Sequence, residues 1–146
     1  MKIEAPIAVL RGASIENALA KEYRQYLAGR LTREQAHLPC ITDDIEVGIS
    51  RYDVFTADKP HVHPIATEHG YVLQGSIRIK RLDGEQEEYE FCEGDFFVVQ
   101  KGIPCAAKNA AGTKILFIKS PGINDKTLVA IDKKTETWLS AWDVSL

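Results

Sequence analysis

The chain has few cysteines and no long apolar run. These two features argue against a disulfide-dependent secreted domain and against a membrane-spanning helix. Its three cysteines, Cys40, Cys92 and Cys105, are an odd number at irregular spacings. Disulfide-dependent secreted domains usually carry an even set, so we predict reduced thiols and a cytoplasmic protein. No apolar segment approaches the roughly 18 residues that a membrane-spanning helix needs, so we also predict no membrane partner.

The chain also lacks an excess of one charge. It has 18 Lys and Arg against 21 Asp and Glu, a formal net charge of −3. The densest basic group is Arg78, Lys80 and Arg81, on one predicted strand. Nucleic-acid-binding proteins usually carry a dense basic surface, so we predict no nucleic-acid partner. The 146 residues show no internal repeat and indicate one structural domain with its own core.

Apolar residues recur at helical spacing near the N-terminus. This periodicity predicts a helix over residues 14–28, with Ser14 as its N-cap. Thr32 and Gln35 have the spacing of a capping box and predict a second, short helix. We therefore predict that residues 1–40 form an N-terminal helical extension.

From residue 45 onward the apolar period changes to two, which indicates β-strands. Asp83-Gly84 is a strong hairpin signal, and the segments FFVVQ and TKILFIK are apolar on both faces, which predicts well-buried strands. Many short strands with frequent turns are typical of an antiparallel sandwich or barrel. We predict an all-β domain over residues 41–146, with a tail whose Trp138 and Trp142 pack on the sheet.

Three of the four histidines lie in the segment HVHPIATEHG, residues 61–70. His61 and His63 are two apart, so on a strand they share one face. Glu68 follows a proline-containing bend and can return a carboxylate to the same point. Two imidazoles and one carboxylate can bind a divalent metal and leave positions open for water or substrate. The alternative is a solvated loop. His69 would point away from Glu68 in a regular strand, and we predict it outside the metal shell.

Glu68 and the apolar residues that follow it are out of phase. Glu68 is even-numbered, whereas Leu73, Ile77 and Ile79 are odd. Either a bulge near Gly70 resets the alternation, or the apolar set faces a different surface from the carboxylate.

These residues resemble the cupin superfamily. Its first motif is H-x-H, four residues, E, six residues, G, which His61, His63, Glu68 and Gly75 match. Its second motif is G, five residues, P-x-G, two residues, H, three residues, N. Three glycine and amide positions of that motif are in register here, at Gly94, Gly102 and Asn109. The resemblance covers about residues 45 to 120 and implies a small jelly-roll-like antiparallel β-barrel with a metal inside.

The chain departs from the motifs at three positions, and one of them touches the implied metal site. Phe55 replaces a glycine, Gln100 replaces a proline, and Cys105 replaces the histidine that is the fourth ligand in the family. Cys105 is therefore a candidate fourth ligand. As a thiolate it would lower the net charge of the site from +1 to zero and weaken its Lewis acidity. As a buried thiol it would leave a three-ligand site. We predict that it lies near the metal but outside bonding distance.

The resemblance leaves several functions open. We expect a metal-binding cupin that acts on a polar metabolite such as a sugar or an organic acid, as an isomerase or lyase. An Fe(II)-dependent dioxygenase is the second hypothesis, and a non-catalytic small-molecule-binding or sensing module is the third. The resemblance implies a divalent metal ion as cofactor, such as Zn, Fe, Mn or Ni. Cupins are often homodimers, so we predict a homodimer.

Overall fold

The structure, a computed structural model, describes the backbone of residues 2–3 and 6–145 and the side chains of residues 6–145. Within these residues the chain forms two β-sheets and two short helices. The helices are α1 (Gly12–Lys21) and α2 (Lys133–Trp138). The strands in chain order are β1 (Lys2–Ile3), β2 (Arg24–Ala28), β3 (Cys40–Ile41), β4 (Glu46–Tyr52), β5 (Thr56–Ala57), β6 (His61–Val62), β7 (Thr67–Gln74), β8 (Ser76–Arg81), β9 (Glu88–Cys92), β10 (Phe96–Val99), β11 (Cys105–Asn109), β12 (Thr113–Ser120) and β13 (Thr127–Leu128).

The described strands form one seven-stranded and one six-stranded sheet that face each other. The first has the order β1-β3-β2-β4-β12-β7-β10, and the second has the order β13-β6-β11-β8-β9, with β5 also paired to β11. All pairs are antiparallel except β2 with β3. The core between the sheets contains Val72, Phe97 and Ile115 from the first sheet and Ile77 and Ile79 from the second. The prediction of an all-β antiparallel fold is confirmed.

β7 has no bulge at Gly70, and the phase difference after Glu68 arises beyond Val72, where the pairing with β12 skips Leu73 and the chain then turns at Gly75. β7 pairs with β10 in unbroken register from Glu68 to Tyr71, so the interior face of β7 is the even-numbered one. Leu73 lies on the outer face. Gly75 adopts a φ of +79°, a left-handed conformation that favours glycine. The turn there lets the odd-numbered residues of β8, such as Ile77, return to the interior.

The predicted helix over residues 14–28 is wrong in its second half. α1 ends at Lys21, and residues 24–28 form β2, which pairs with β4. The open edge of β4 needs backbone hydrogen-bond partners, and this requirement outweighs the local helical periodicity. Ser14 is not the N-cap, because Arg11 occupies that position without a side-chain cap.

The second predicted helix, at Thr32, is also absent from the described residues. The segment between β2 and β3 forms bends and loop instead. The side-chain oxygen of Gln35, which we assigned to a capping box, accepts a hydrogen bond from the backbone N–H of Tyr26 at 3.1 Å. Gln35 therefore satisfies a strand amide of β2, and the N-terminal region is only partly helical.

The two strands expected to be fully buried behave differently. β12 lies in the middle of its sheet, between β4 and β7, as predicted. β10 lies at the edge, and the prediction of burial on both faces is wrong for it. Phe97 is 8% exposed and points inward, whereas Phe96 is 60% exposed on the outer face.

The C-terminal tail covers the outer face of the six-stranded sheet, as predicted. Trp138, at the end of α2, is completely buried, and the Trp142 ring lies 4.4 Å from the guanidinium of Arg78. The predicted hairpin at Asp83-Gly84 is confirmed by the antiparallel pairing of β8 with β9. Neither helix of the described residues combines the length and apolar character that a membrane crossing requires.

Candidate metal centre

The strand β6 and the start of β7 bring the three predicted ligands together. The ligand atoms of His61, His63 and Glu68 lie within 4.8 Å of one another. His61 and His63 share a face of the strand segment, with ring centroids 4.9 Å apart and planes at 83°. Glu68, two positions into β7, points into the same space because the even-numbered face of β7 is interior. The structure thus places all three side chains at one point, as the sequence predicted.

His61 has a fixed tautomer. Its Nδ1 lies 2.7 Å from the backbone carbonyl oxygen of Lys59. A carbonyl can only accept, so Nδ1 carries the proton and Nε2 holds a lone pair. Burial lowers the pKa of His61 from its ordinary value. A neutral imidazole with a free Nε2 is the form that binds a metal.

His63 lies between two carboxylates. Its Nδ1 donates to Asp125 Oδ1 at 2.8 Å, and its Nε2 lies 3.2 Å from Glu68 Oε2. The other oxygen of Asp125 accepts from the backbone N–H groups of Ile65 and Ala66, both at 2.8 Å. Asp125 thus fixes the ring of His63, which is only 7% exposed. Metal-binding histidines commonly have this support from a carboxylate on the second nitrogen.

The Glu68 carboxylate lies where it favours a positive charge next to Nε2 of His63. With Nδ1 protonated, a neutral His63 would direct its Nε2 lone pair at the Glu68 carboxylate. Burial alone would lower the pKa of His63, but the hydrogen bonds to Glu68 and Asp125 outweigh it and raise this pKa. The arrangement attracts a positive charge between Nε2 and the carboxylate, and a divalent metal or a proton can supply it. The three residues therefore fit a metal ion.

Cys105 lies near these residues but is not one of the group whose ligand atoms converge. It lines a small cavity of about 60 Å³ together with His61, His63 and Glu68. Burial, followed by the negative charge of Glu68, raises the pKa of its thiol to about 11. In the metal-free protein the thiol is therefore protonated and uncharged at neutral pH.

His69 faces away from the metal site. Its ring stacks on Phe96 on the outer face of the sheet, with centroids 6.1 Å apart and planes at 27°. This placement agrees with the prediction that His69 lies outside the metal shell.

A larger cavity of about 300 Å³ opens beside the three residues. Its volume is at the lower end of the range for small-molecule sites. Arg24, Asp58 and Lys126 line it together with the histidines and Glu68. Lys119 also lines it, in a buried ion pair with Glu46 at 2.6 Å.

Residues 49–119 match the family model described as "Cupin domain". Residues 49–119 are therefore a cupin domain. KdgF from Halomonas sp. is 23% identical over 70% of this chain and 80% of its own, with a TM-score of 0.53. A Klebsiella pneumoniae protein described as having a double-stranded β-helix domain is 17% identical over 88% of this chain and all of its own, with a TM-score of 0.59.

Oxalate oxidase in complex with the substrate analogue glycolate is a more distant structural match. It is 19% identical over 59% of this chain and 46% of its own, with a TM-score of 0.50. These likenesses concern the fold. No curated protein matches the chain.

Four residues of the site and its cavity were not predicted from the sequence. Arg24 precedes the matched residues 49–119, and Asp125 and Lys126 follow them. Arg24 lies in the segment predicted as helix, and Asp125 in a tail loop without regular structure, so neither carried a local signal. Asp58 lies inside the matched region, three positions before His61, and its proximity to the histidines was the only available indication.

Proposed function

We propose that this cupin is a metal-dependent enzyme acting on a small polar metabolite, with Asp58 as its proton-transfer residue in an isomerase or lyase reaction. The observation that carries this proposal is the position of Asp58 in the same cavity as His61, His63 and Glu68. A cavity that only binds a ligand needs no titratable group beside its metal, whereas proton transfer does.

His61 Nε2, His63 Nε2 and a Glu68 oxygen would hold the metal. A divalent ion bound there supplies Lewis acidity toward a substrate carbonyl or hydroxyl oxygen. Cys105 lies outside the converging group, so Glu68 would be the single anionic ligand of the set. Two imidazoles and a carboxylate suit Zn, Fe, Mn or Ni. The chain itself contributes orientation, through Lys59 for His61 and Asp125 for His63.

The surroundings of Asp58 suit a group that exchanges protons. Burial raises the pKa of its carboxyl, although the charges of Arg24 and Lys126 and the Asn109 side chain act in the opposite direction. The Asn109 amide nitrogen is 3.5 Å from Oδ2, a long hydrogen bond. Among the described residues, no Lys or Arg nitrogen lies within 4.0 Å of this carboxylate. A raised pKa brings the carboxyl closer to the range in which it can both accept and donate a proton.

The Fe(II) dioxygenase remains the second candidate because two histidines and one carboxylate also form the ligand set of that class. The non-catalytic binding module is less well supported, since the cavity lining includes charged side chains besides the metal ligands. The free thiols of Cys40, Cys92 and Cys105 favour a reducing, cytoplasmic location.

Solvent-proton exchange tests the assignment of Asp58. The metal-loaded protein is incubated in D₂O with a panel of hydroxy acids, keto acids and sugars, and deuterium incorporation is followed by NMR, with oxygen uptake recorded in parallel. We expect exchange without oxygen uptake, reduced at least 100-fold in Asp58→Asn, whose metal content and fold stay unchanged. Asp44→Asn, at an exposed carboxylate, is the control and should be fully active. Oxygen-dependent turnover that survives Asp58→Asn would favour the dioxygenase instead.

We further infer that the chain forms a homodimer through the outer face of β7 and β10. β10 is an edge strand, and Tyr71, Leu73, Phe96 and Val98 expose their apolar side chains on this face. An edge strand with an apolar face is a site for association. Light scattering should give a dimer mass for the wild type and a monomer mass for Phe96→Asp. A wild-type monomer at all concentrations would contradict the inference.

A further inference from the structure

Arg24 is held in a fixed orientation at the wall of the larger cavity. Its Nε donates to Ser50 Oγ at 2.9 Å, and its Nη2 donates to the Tyr52 hydroxyl at 3.0 Å. Its guanidinium lies over the rings of Tyr23 and Phe117, at 5.5 and 5.4 Å from their centroids. Two hydroxyls and two aromatic faces thus position the group while leaving the N–H groups of Nη1 uncommitted.

Arg24 forms no salt bridge with a described carboxylate, although the charge of Asp58, in the same cavity, acts on it. Of the seven arginines in the chain, five form salt bridges with carboxylates: Arg30, Arg33, Arg51, Arg78 and Arg81. The sixth, Arg11, is exposed to solvent. Arg24 combines partial burial with the absence of a salt bridge to any described carboxylate, and solvent compensates its charge less well than that of Arg11.

Lys126 adds a second positive charge to the same cavity. It is exposed and has no salt bridge within the described part of the chain. It lines the cavity together with Asp58 and the three candidate metal ligands. Lys119, by contrast, is neutralised by Glu46. Arg24 and Lys126 are therefore the cations of this cavity that remain available to a ligand.

We propose that Arg24 and Lys126 form an anion subsite that binds a carboxylate of the substrate, so that the metabolite is a small organic or sugar acid. The inference rests on the proposed function and narrows its substrate class. A carboxylate can accept two hydrogen bonds from the remaining guanidinium N–H groups and one from the ammonium. A doubly charged phosphate would be more strongly repelled by Asp58 and Glu68, which line the same cavity. The volume of about 300 Å³ suits a molecule of this size.

NMR on metal-free protein tests the subsite independently of the metal. Acetate and inorganic phosphate are titrated at constant ionic strength while the Nε–Hε resonance of Arg24, assigned by its loss in Arg24→Lys, is followed. We expect saturable binding of acetate with a Kd of about 1–10 mM. Binding should weaken at least tenfold in Arg24→Gln and in Lys126→Gln. The exposed-site controls Arg11→Gln and Lys134→Gln should bind acetate as the wild type does.

Each outcome decides the inference. A linear, non-saturating shift with acetate would overturn it, as would wild-type affinity in Lys126→Gln, whose exposed position makes a folding defect unexpected. Phosphate binding tenfold tighter than acetate would also overturn it, because the ligand would then be a phosphate. If acetate fails to bind while metal binding and the Asp58-dependent exchange persist, the proposed anion subsite is wrong and the proposed function stands. If acetate binds but no metal does, the proposed function is wrong and the anion subsite remains.

Discussion

The protein keeps buried charges on both faces of its six-stranded sheet, but it treats them differently. On the outer face, Lys108 is completely buried and its Nζ donates to the carbonyl oxygens of Trp138, Ala141 and Val144 at 2.6 to 2.9 Å. The same ammonium lies 4.4 Å from the centroid of the Trp138 ring. On the inner side, the cavity between the sheets holds Arg24, which comes from β2 of the seven-stranded sheet and forms no salt bridge with a described carboxylate.

The two regions differ in whether the charged group still has hydrogen-bonding capacity for a ligand. The ammonium of Lys108 uses all three of its hydrogens to hold the C-terminal tail against the sheet, so it has no capacity for a ligand. Lys80, also completely buried, donates to Thr135 Oγ1 on α2 at 3.0 Å and serves the same attachment. The polar side chains of the cavity, by contrast, retain hydrogen-bond donors and lone pairs that a metal ion or a substrate can use.

Removal of the Lys108 charge should give the largest change in stability. Lys108→Met leaves three carbonyl oxygens without their donor, and we expect the free energy of unfolding to fall by about 3 kcal/mol. Urea denaturation measures this loss. Lys126→Met, at an exposed cavity residue, should change stability by less than about 0.5 kcal/mol. Equal losses of unfolding free energy in the two variants would contradict the distinction between the buried lysine of the outer face and the cavity lysine.

Disruption of the support for His63 should weaken metal binding without unfolding the protein. In Asp125→Asn only one oxygen remains to serve His63 Nδ1 and the backbone amides of Ile65 and Ala66. We expect metal affinity to fall about 10- to 100-fold. Competition with a fluorescent chelator gives the affinity, with Asp44→Asn as the control. Unchanged affinity in Asp125→Asn would mean that this carboxylate does not position the ligand.

Replacement of Cys105 should have the smallest effect on the metal. Its thiol lies outside the converging group, so Cys105→Ala should change metal affinity less than about threefold, whereas Cys105→His should tighten it by adding a ligand. Cobalt substitution gives an optical test. A strong thiolate-to-cobalt charge-transfer band that disappears in Cys105→Ala would show that the thiolate is a ligand.

The convergence of His61, His63 and Glu68 was predictable because it depends on local geometry. The three residues lie within eight positions, and strand alternation with one bend is enough to bring them together. The β8–β9 hairpin was predictable for the same reason, since Asp83-Gly84 encodes its turn locally.

The rest of the site depends on contacts between distant parts of the chain. Asp125 reaches His63 across 62 positions, and nothing in the tail sequence indicates that contact. Arg24 reaches the cavity only because its segment pairs with β4, whereas its local pattern indicated a helix. Strand pairing at a sheet edge and the docking of a tail are decided by the assembled fold, so a reading of local periodicity misses the residues that complete the cavity.

Metal content tests the central claim most directly. Protein purified without an affinity tag is analysed by elemental mass spectrometry beside the double variant His61→Ala, His63→Ala, with circular dichroism as the check on folding. We predict roughly one divalent ion per chain in the wild type. The double variant should lose that ion while keeping the β-sheet spectrum. A folded double variant that retains the full metal content would contradict the assignment of the centre to His61, His63 and Glu68.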